Sequence, residues 1–218
     1  MFKLLCILLV TGHALADTVV LNQVVDQALA GLNAAISQGG KDVIPIAALN
    51  HNWKYRWHFI KLSGHMNCRD GYAKSLASLR RTGDVVMSTS GNQMTLRVAL
   101  GLGTLEAGFK HCQFKAKHLF SVTQHISASV SSNSIVAQAT LTKNGNECTA
   151  HLDSISLDNL GKIKVHTGGG VLHKIEDKLI NWIVGHIHGS VVGSINSELQ
   201  KQAYANFPRA DLCSKIPF

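Results

Sequence analysis

The segment QMTLRVALGLG, residues 93–103, places Met94, Leu96, Val98, Leu100 and Leu102 at every second position, with Thr95, Arg97, Ala99 and Gly101 between them. Successive side chains of a strand point to opposite faces, so this alternation predicts a half-buried β-strand. FSVTQHISASV, residues 120–130, repeats it with Phe120, Val122, Ile126 and Val130. SIVAQATLTKNGNECTAHLDSISL, residues 134–157, reads as a hairpin turning at Asn144-Gly145-Asn146. These runs follow one another without intervening helices, so the sheet they build is expected to be antiparallel.

The flanks have a different period. In TVVLNQVVDQALAGLNAAISQGG, residues 18–40, Val20, Val24, Ala28, Leu32 and Ile36 recur every four residues, with Val25, Leu29 and Ala35 beside them. That spacing predicts a helix capped by Asp17 or Thr18 and ended by Gly39-Gly40. Near the other end, Leu172, Ile175, Leu179, Ile183, Ile187, Val191, Ile195 and Leu199 form the apolar row of a second, longer helix. Helix, long strands, helix is an α+β plan with the helices on one side of the sheet.

MFKLLCILLVTGHALA, residues 1–16, has a basic residue, a short apolar run and an Ala-x-Ala end. This is the pattern of a secretory signal peptide, with cleavage expected after Ala16. Residues 17–218 have no long Gly/Ser or charged linker and are expected to form a single domain of a secreted, extracellular protein. The chain carries 21 basic and 13 acidic side chains. Such a surplus favours anionic partners: lipid headgroups, lipopolysaccharide or glycans. Nucleic acid is not an expected partner of a secreted protein.

Beyond the leader stand Cys68, Cys112, Cys148 and Cys213, an even number that implies two disulfides. Three pairings are possible. Cys112–Cys148 with Cys68–Cys213 is preferred, because Cys112 and Cys148 both lie in strand-like segments. No Cys-x2-Cys spacing suggests zinc.

Within the second helix the residues from Leu179 to Ser197 are uncharged. A membrane span is disfavoured by Asn181, His186, His188, Ser190, Ser194, Asn196 and Ser197, which would be costly in hydrocarbon. A metal site is disfavoured too, since helical residues two apart, such as His186 and His188, point roughly 200° away from each other. Gly185, Gly189 and Gly193 lie four apart on one ridge. They are expected to admit the first helix, whose Ala30/Ala34 and Gly31/Ala35 offer matching small ridges. TGGGVLH, residues 167–173, precedes this helix and could present an anion-binding N-terminus, but reads more simply as a flexible joint.

HNWKYRWHFIK, residues 51–61, alternates Trp53, Tyr55 and Trp57 with Lys54 and Arg56. As a strand it puts aromatic rings on one face and cations on the other. These five residues are the candidate contact with an anionic surface. The chain has no Gly-x-Ser-x-Gly, no His-Glu-x-x-His and no phosphate loop, so neither an enzyme nor a cofactor is expected.

KLSGHMNCRDGYAKSLASLRRTGDV, residues 61–85, followed by TLRVALGLGTLEAGF, residues 95–109, resembles the mite group 7 allergens. Leu76, Leu79, Arg81, Gly83 and Asp84 carry the shared turn before the long alternating strand. That family is similar in fold to one half of the bactericidal/permeability-increasing and lipopolysaccharide-binding proteins, and to juvenile-hormone-binding and takeout proteins. The resemblance implies a long curved antiparallel sheet wrapped around a long C-terminal helix, a super-roll that often encloses an apolar lipid site. On this reading the ligand is a lipid or another hydrophobic small molecule. Its expected lining is Leu32, Ile36, Leu96, Val98, Leu100, Ile126, Ile183, Ile187 and Val191. The alternative is a surface-interaction protein that recognises anionic lipid without an internal pocket.

Overall fold

A computed structural model describes residues 2–57, 60–117, 120–130, 132–167 and 176–216, without the side chains of 2–19, 55–57, 60, 62, 120, 167, 176–181, 183, 186 and 187. Helix α1 spans Phe2–Gln38. Strands β1 Val43–Ile46, β2 Leu49–Trp57, β3 Ile60–Lys74, β4 Arg80–Arg81, β5 Val86–Ser90, β6 Gln93–Gly101, β7 Leu105–Ala116, β8 Phe120–Val130, β9 Asn133–Asn144, β10 Glu147–Leu160 and β11 Ile163–Thr167 follow. Helix α2 spans Glu176–Asn206, and the chain continues through a 3-10 turn, Phe207–Ala210, into the short α3, Leu212–Lys215.

The strands form two antiparallel sheets. The first has the order β1-β3-β7-β8-β11, with β2 also paired to β3; the second has the order β10-β9-β6-β4, with β5 also paired to β6. The alternating run at 93–103 is β6, and Met94, Leu96, Val98 and Leu100 are buried as its period requires. Glu147 pairs with Asn144, so the β9–β10 turn is Gly145-Asn146, with Gly145 at φ 64. Glycine takes that left-handed conformation free of the steric cost of a Cβ.

The chain passes repeatedly from one sheet to the other, and the crossings are tied together. Asn133, at the start of β9, accepts from Leu102 N at 2.7 Å and donates to Leu102 O at 3.1 Å. Gly161 N donates to Ser132 O at 2.8 Å. A Cβ on Gly161 would overlap Ser132 Oγ and stand 2.9 Å from Ser132 O, so any side chain after β10 forces Ser132 to shift at this crossing.

Each long helix is fastened by a polar row. On α1, Asn33 Nδ2 donates to Leu79 O at 2.8 Å and Asn33 Oδ1 accepts from Leu79 N at 3.0 Å. Asp26 holds Arg81 through two hydrogen bonds of 3.0 and 3.1 Å, and Asn22 accepts from Val85 N at 3.0 Å and donates to Asp84 at 2.8 Å. The Leu76–Asp84 turn is therefore a clasp on α1, with Leu76 and Leu79 buried beneath it. On α2, Asn196 accepts from Leu157 N at 2.6 Å, Gln200 donates to Ile155 O at 3.3 Å, and Tyr204 donates to Asp153 O at 3.2 Å. Four-residue steps on the helix match two-residue steps on the strand. This row covers the outer edge of β10, which would otherwise present unpaired backbone groups.

Four expectations are corrected. First, with the leader attached no cap stands at Asp17 or Thr18: the helix is continuous from Phe2.

Second, the disulfides are Cys68–Cys112 and Cys148–Cys213, not Cys112–Cys148 and Cys68–Cys213. Cys68 and Cys112 face each other in the register of β3 and β7, whereas Cys148 belongs to the other sheet.

Third, Gly185, Gly189 and Gly193 are exposed, and a Cβ on any of them would meet nothing within 4 Å. The helices do touch. However, α2 buries Val191, Ile195, Leu199 and Ala203. Gly189 and Gly193 stand two residues from Val191, which places them on the opposite side of the helix.

Fourth, Val20, expected in the buried row of α1, is exposed; Leu21, Val24, Val25, Leu29 and Ile36 form that face. The region 168–175, including the candidate glycine-rich joint, Leu172 and Ile175, lies outside the described residues, as do the side chains of Leu179, Ile183 and Ile187.

Candidate functional site

A partly open cavity of about 410 Å3 lies between α1, the second sheet and the C-terminal segment. Helix α1 supplies Val25, Ala28, Leu29, Gly31, Leu32, Ala34 and Ala35; β6 supplies Leu96 and Val98; β9 and β10 supply Ala139, Leu152 and Ile155. The end of α2, the 3-10 turn and α3 close it with Ala203, Phe207, Ala210 and Leu212. Gln27, Gln38, Asn206, Arg209 and Lys215 complete the lining. The space exists because many of the facing side chains are small. A Cβ on Gly31 would have no neighbour within 4 Å. The small ridge Gly31/Ala35 thus borders a void rather than a ridge of α2. The volume falls within the ~300–1,000 Å3 typical of small-molecule pockets, and the wall is largely apolar, as such pockets are.

Leu32, Leu96 and Val98 are the expected lining residues that border this cavity. Ile36, Leu100, Ile126 and Val191 are buried in the hydrophobic core and do not border the cavity. The side chains of Ile183 and Ile187 lie outside the described residues. Arg209, Lys215 and the rest of the closing segment have no helical or strand period long enough to mark them. Their position follows from the Cys148–Cys213 bond, which ties α3 to β10.

The 51–61 stretch is a hairpin rather than one strand, since β2 ends at Trp57 and Lys61 lies on β3. Trp53 is buried with its ring against Gly64, while Lys54 is exposed. The side chains of Tyr55, Arg56 and Trp57 lie outside the described residues. Asn52, Lys54, Ser63, His65, Lys115, Lys117 and Ser121 border a shallow groove of about 780 Å3 at this end of the first sheet, together with Trp53, Gly64 and Ala116. The strand register puts Asn52 opposite His65, Lys54 opposite Ser63, and Lys115 opposite His65 and Ser121, so these side chains share one face. None of the described residues bordering the groove is acidic.

One polar chain lies further along the first sheet. Tyr72 donates to Glu106 at 2.8 Å, Lys74 pairs with Glu106 at 2.9 Å, and His125 Nε2 is 3.0 Å from the Tyr72 hydroxyl. Burial, then the hydrogen bond to Glu106 and its charge, push Tyr72 up to about 12. Burial alone would raise Glu106, but its bonds to Lys74 and Tyr72 hold it below the usual carboxylate range. Among the described residues no cluster of three or more His, Cys, Asp or Glu could hold a metal, and no helix is long and apolar enough to cross a membrane. His188 is exposed, and the side chain of His186 is not described.

Helices fastened to two antiparallel sheets, with an apolar cavity beside them, define the class. The fold is that of the lipopolysaccharide-binding-protein type. A crystal structure of lipopolysaccharide binding protein matches with a TM-score of 0.59 at 12% identity, over 88% of this chain. The chain spans 39% of that protein's length. The group 7 allergen family model matches residues 20–203, and the chain belongs to that family. No curated protein sequence matches it. Family, fold and the two disulfides are together consistent with secretion.

Proposed function

We propose that this protein is a secreted, non-enzymatic binder of an apolar or amphipathic, lipid-like molecule held between α1, the second sheet and the C-terminal segment. The observation that carries this reading is the cavity of about 410 Å3 with its apolar walls. Each methylene moved from water into such walls contributes ~0.8 kcal/mol before ordering costs. Membership of the group 7 allergen family and the likeness in fold to a protein named for binding lipopolysaccharide support lipid as the ligand class. The leader pattern at 1–16 supports secretion, with Asp17 as the first residue of the mature chain.

The test is binding of a neutral fluorescent apolar probe, 1-aminoanthracene, to the wild type and to Gly31→Leu. Leucine at position 31 extends into open space, so probe binding is expected to fall strongly. The helix itself gains close to 1 kcal/mol, because glycine is the poorer helix former. Equal binding by both proteins contradicts the proposed location.

A second reading rests on a different observation, the acid-free groove with Lys54, His65, Lys115 and Lys117 on one face of the first sheet. Such a face suits contact with anionic lipid, lipopolysaccharide included. It is compatible with a carrier that loads or unloads at a membrane.

A further inference from the structure

We infer that the cavity's ligand is a single-chain amphiphile with an anionic head, held at the mouth by Arg209 and Lys215. The inference rests on the cavity reading and adds the charge and position of the head group. Two cations line the cavity and none of its lining residues is acidic. Both cations are exposed and have neutral partners: Arg209 donates to Asn206 Oδ1 at 3.2 Å, and Lys215 donates to Ala210 O at 2.9 Å. The carboxylate nearest in sequence, Asp211, accepts from Ser214 Oγ at 2.6 Å and does not line the cavity.

The two cations stand on one short segment, Phe207–Lys215, which is bonded to β10 through Cys213. Both therefore border the cavity from the C-terminal segment, while the rest of the lining is largely apolar, with only the uncharged Gln27, Gln38 and Asn206 as polar members. An apolar chain within and an anionic group between guanidinium and ammonium would use both features. A cationic or zwitterionic head would gain less there.

The test is displacement of 1-aminoanthracene from the protein recovered from a secreting host, by decanoate, 1-decanol and decylamine at neutral pH. An apolar cavity alone favours 1-decanol, because desolvating a carboxylate is costly. The inference predicts the reverse order. Decanoate is expected to act at a concentration about tenfold lower than 1-decanol, the size of one charge-assisted hydrogen bond, with decylamine weakest. Arg209→Gln/Lys215→Gln should erase the advantage of decanoate over 1-decanol, read as the ratio of the two potencies on the same variant. Arg209→Glu/Lys215→Glu should move the preference to decylamine. The neutral alcohol serves as the internal reference for a folded cavity in every variant. Equal potency of decanoate and 1-decanol on the wild type, or an advantage that survives both double substitutions, overturns the inference while leaving the cavity reading intact. If the probe and the alcohol do not bind at all, the cavity reading falls and the inference with it.

Discussion

Cys213 on α3 is bonded to Cys148 on β10, so the segment that closes the cavity is fixed to the sheet that forms its wall. The bond closes a sequence separation of 65 residues, for which the chain-entropy model gives about 4 kcal/mol. Cys148→Ser/Cys213→Ser is expected to lose stability of that order in chemical denaturation and to bind the apolar probe more weakly. Cys68→Ser/Cys112→Ser, within the other sheet, should lose stability but keep binding in its folded fraction. Peptide mapping should find Cys68–Cys112 and Cys148–Cys213, with no free thiol. Unchanged probe binding in the first variant would show that α3 does not shape the cavity.

Glycines 161 and 189 are predicted to respond in opposite directions. Gly189 faces open space on α2, so Gly189→Ala should stabilise by up to about 1 kcal/mol, a rise of roughly 2–4 °C in thermal midpoint. Gly161 lies against Ser132 at a strand crossing, so Gly161→Ala should cost roughly 1–3 kcal/mol. A lower midpoint for Gly189→Ala would mean that another element covers that side of α2.

The Lys74–Glu106–Tyr72 chain makes stability depend on pH. Glu106 is harder to protonate in the folded protein than in the unfolded chain, since its bonds to Lys74 and Tyr72 outweigh its burial. Its contribution is present above the ordinary glutamate value and is lost as pH falls through the lower native one. Glu106→Gln should therefore be less stable than wild type at neutral pH. The gap should close progressively below about pH 4.5. A gap independent of pH between 7 and 3 would exclude this assignment.

The basic face of the first sheet predicts salt-sensitive adhesion. Lys115→Glu/Lys117→Glu should sediment less with vesicles containing phosphatidylserine than the wild type does, since each cation near an anionic surface contributes about 1 kcal/mol. The difference should shrink as salt shortens the Debye length, which is about 10 Å at 0.1 M. Equal sedimentation would remove this face from membrane contact without touching the cavity.

How much of the fold and the cavity is legible in the sequence depends on how local the determining interaction is. The strand at 93–103 is legible because its period of two is a property of adjacent residues. Leu32, Leu96 and Val98 are identifiable as apolar members of predicted faces, and they do border the cavity. Ile36 and Leu100 share those patterns but pack in the core, a distinction that only the two-sheet arrangement makes. The cysteine pairing is not legible, because it depends on which strands neighbour each other in which sheet. The exposure of the glycine row of α2 does follow from the sequence once its phase is considered: Gly189 and Gly193 stand two residues from Val191, so burial of one row exposes the other. Arg209 and Lys215 lie in a segment too short for any period, and a disulfide sets its place.

Native mass spectrometry of the protein, secreted by its host cells and purified without detergent, tests the central claim most directly. Wild type is predicted to carry an adduct with the mass of a single lipid-like molecule, released on collisional activation, and Gly31→Leu is predicted to appear at its bare polypeptide mass. Wild type that flies bare, and then fails to take up decanoate or 1-decanol added in excess, would contradict the assignment of this cavity as a ligand site.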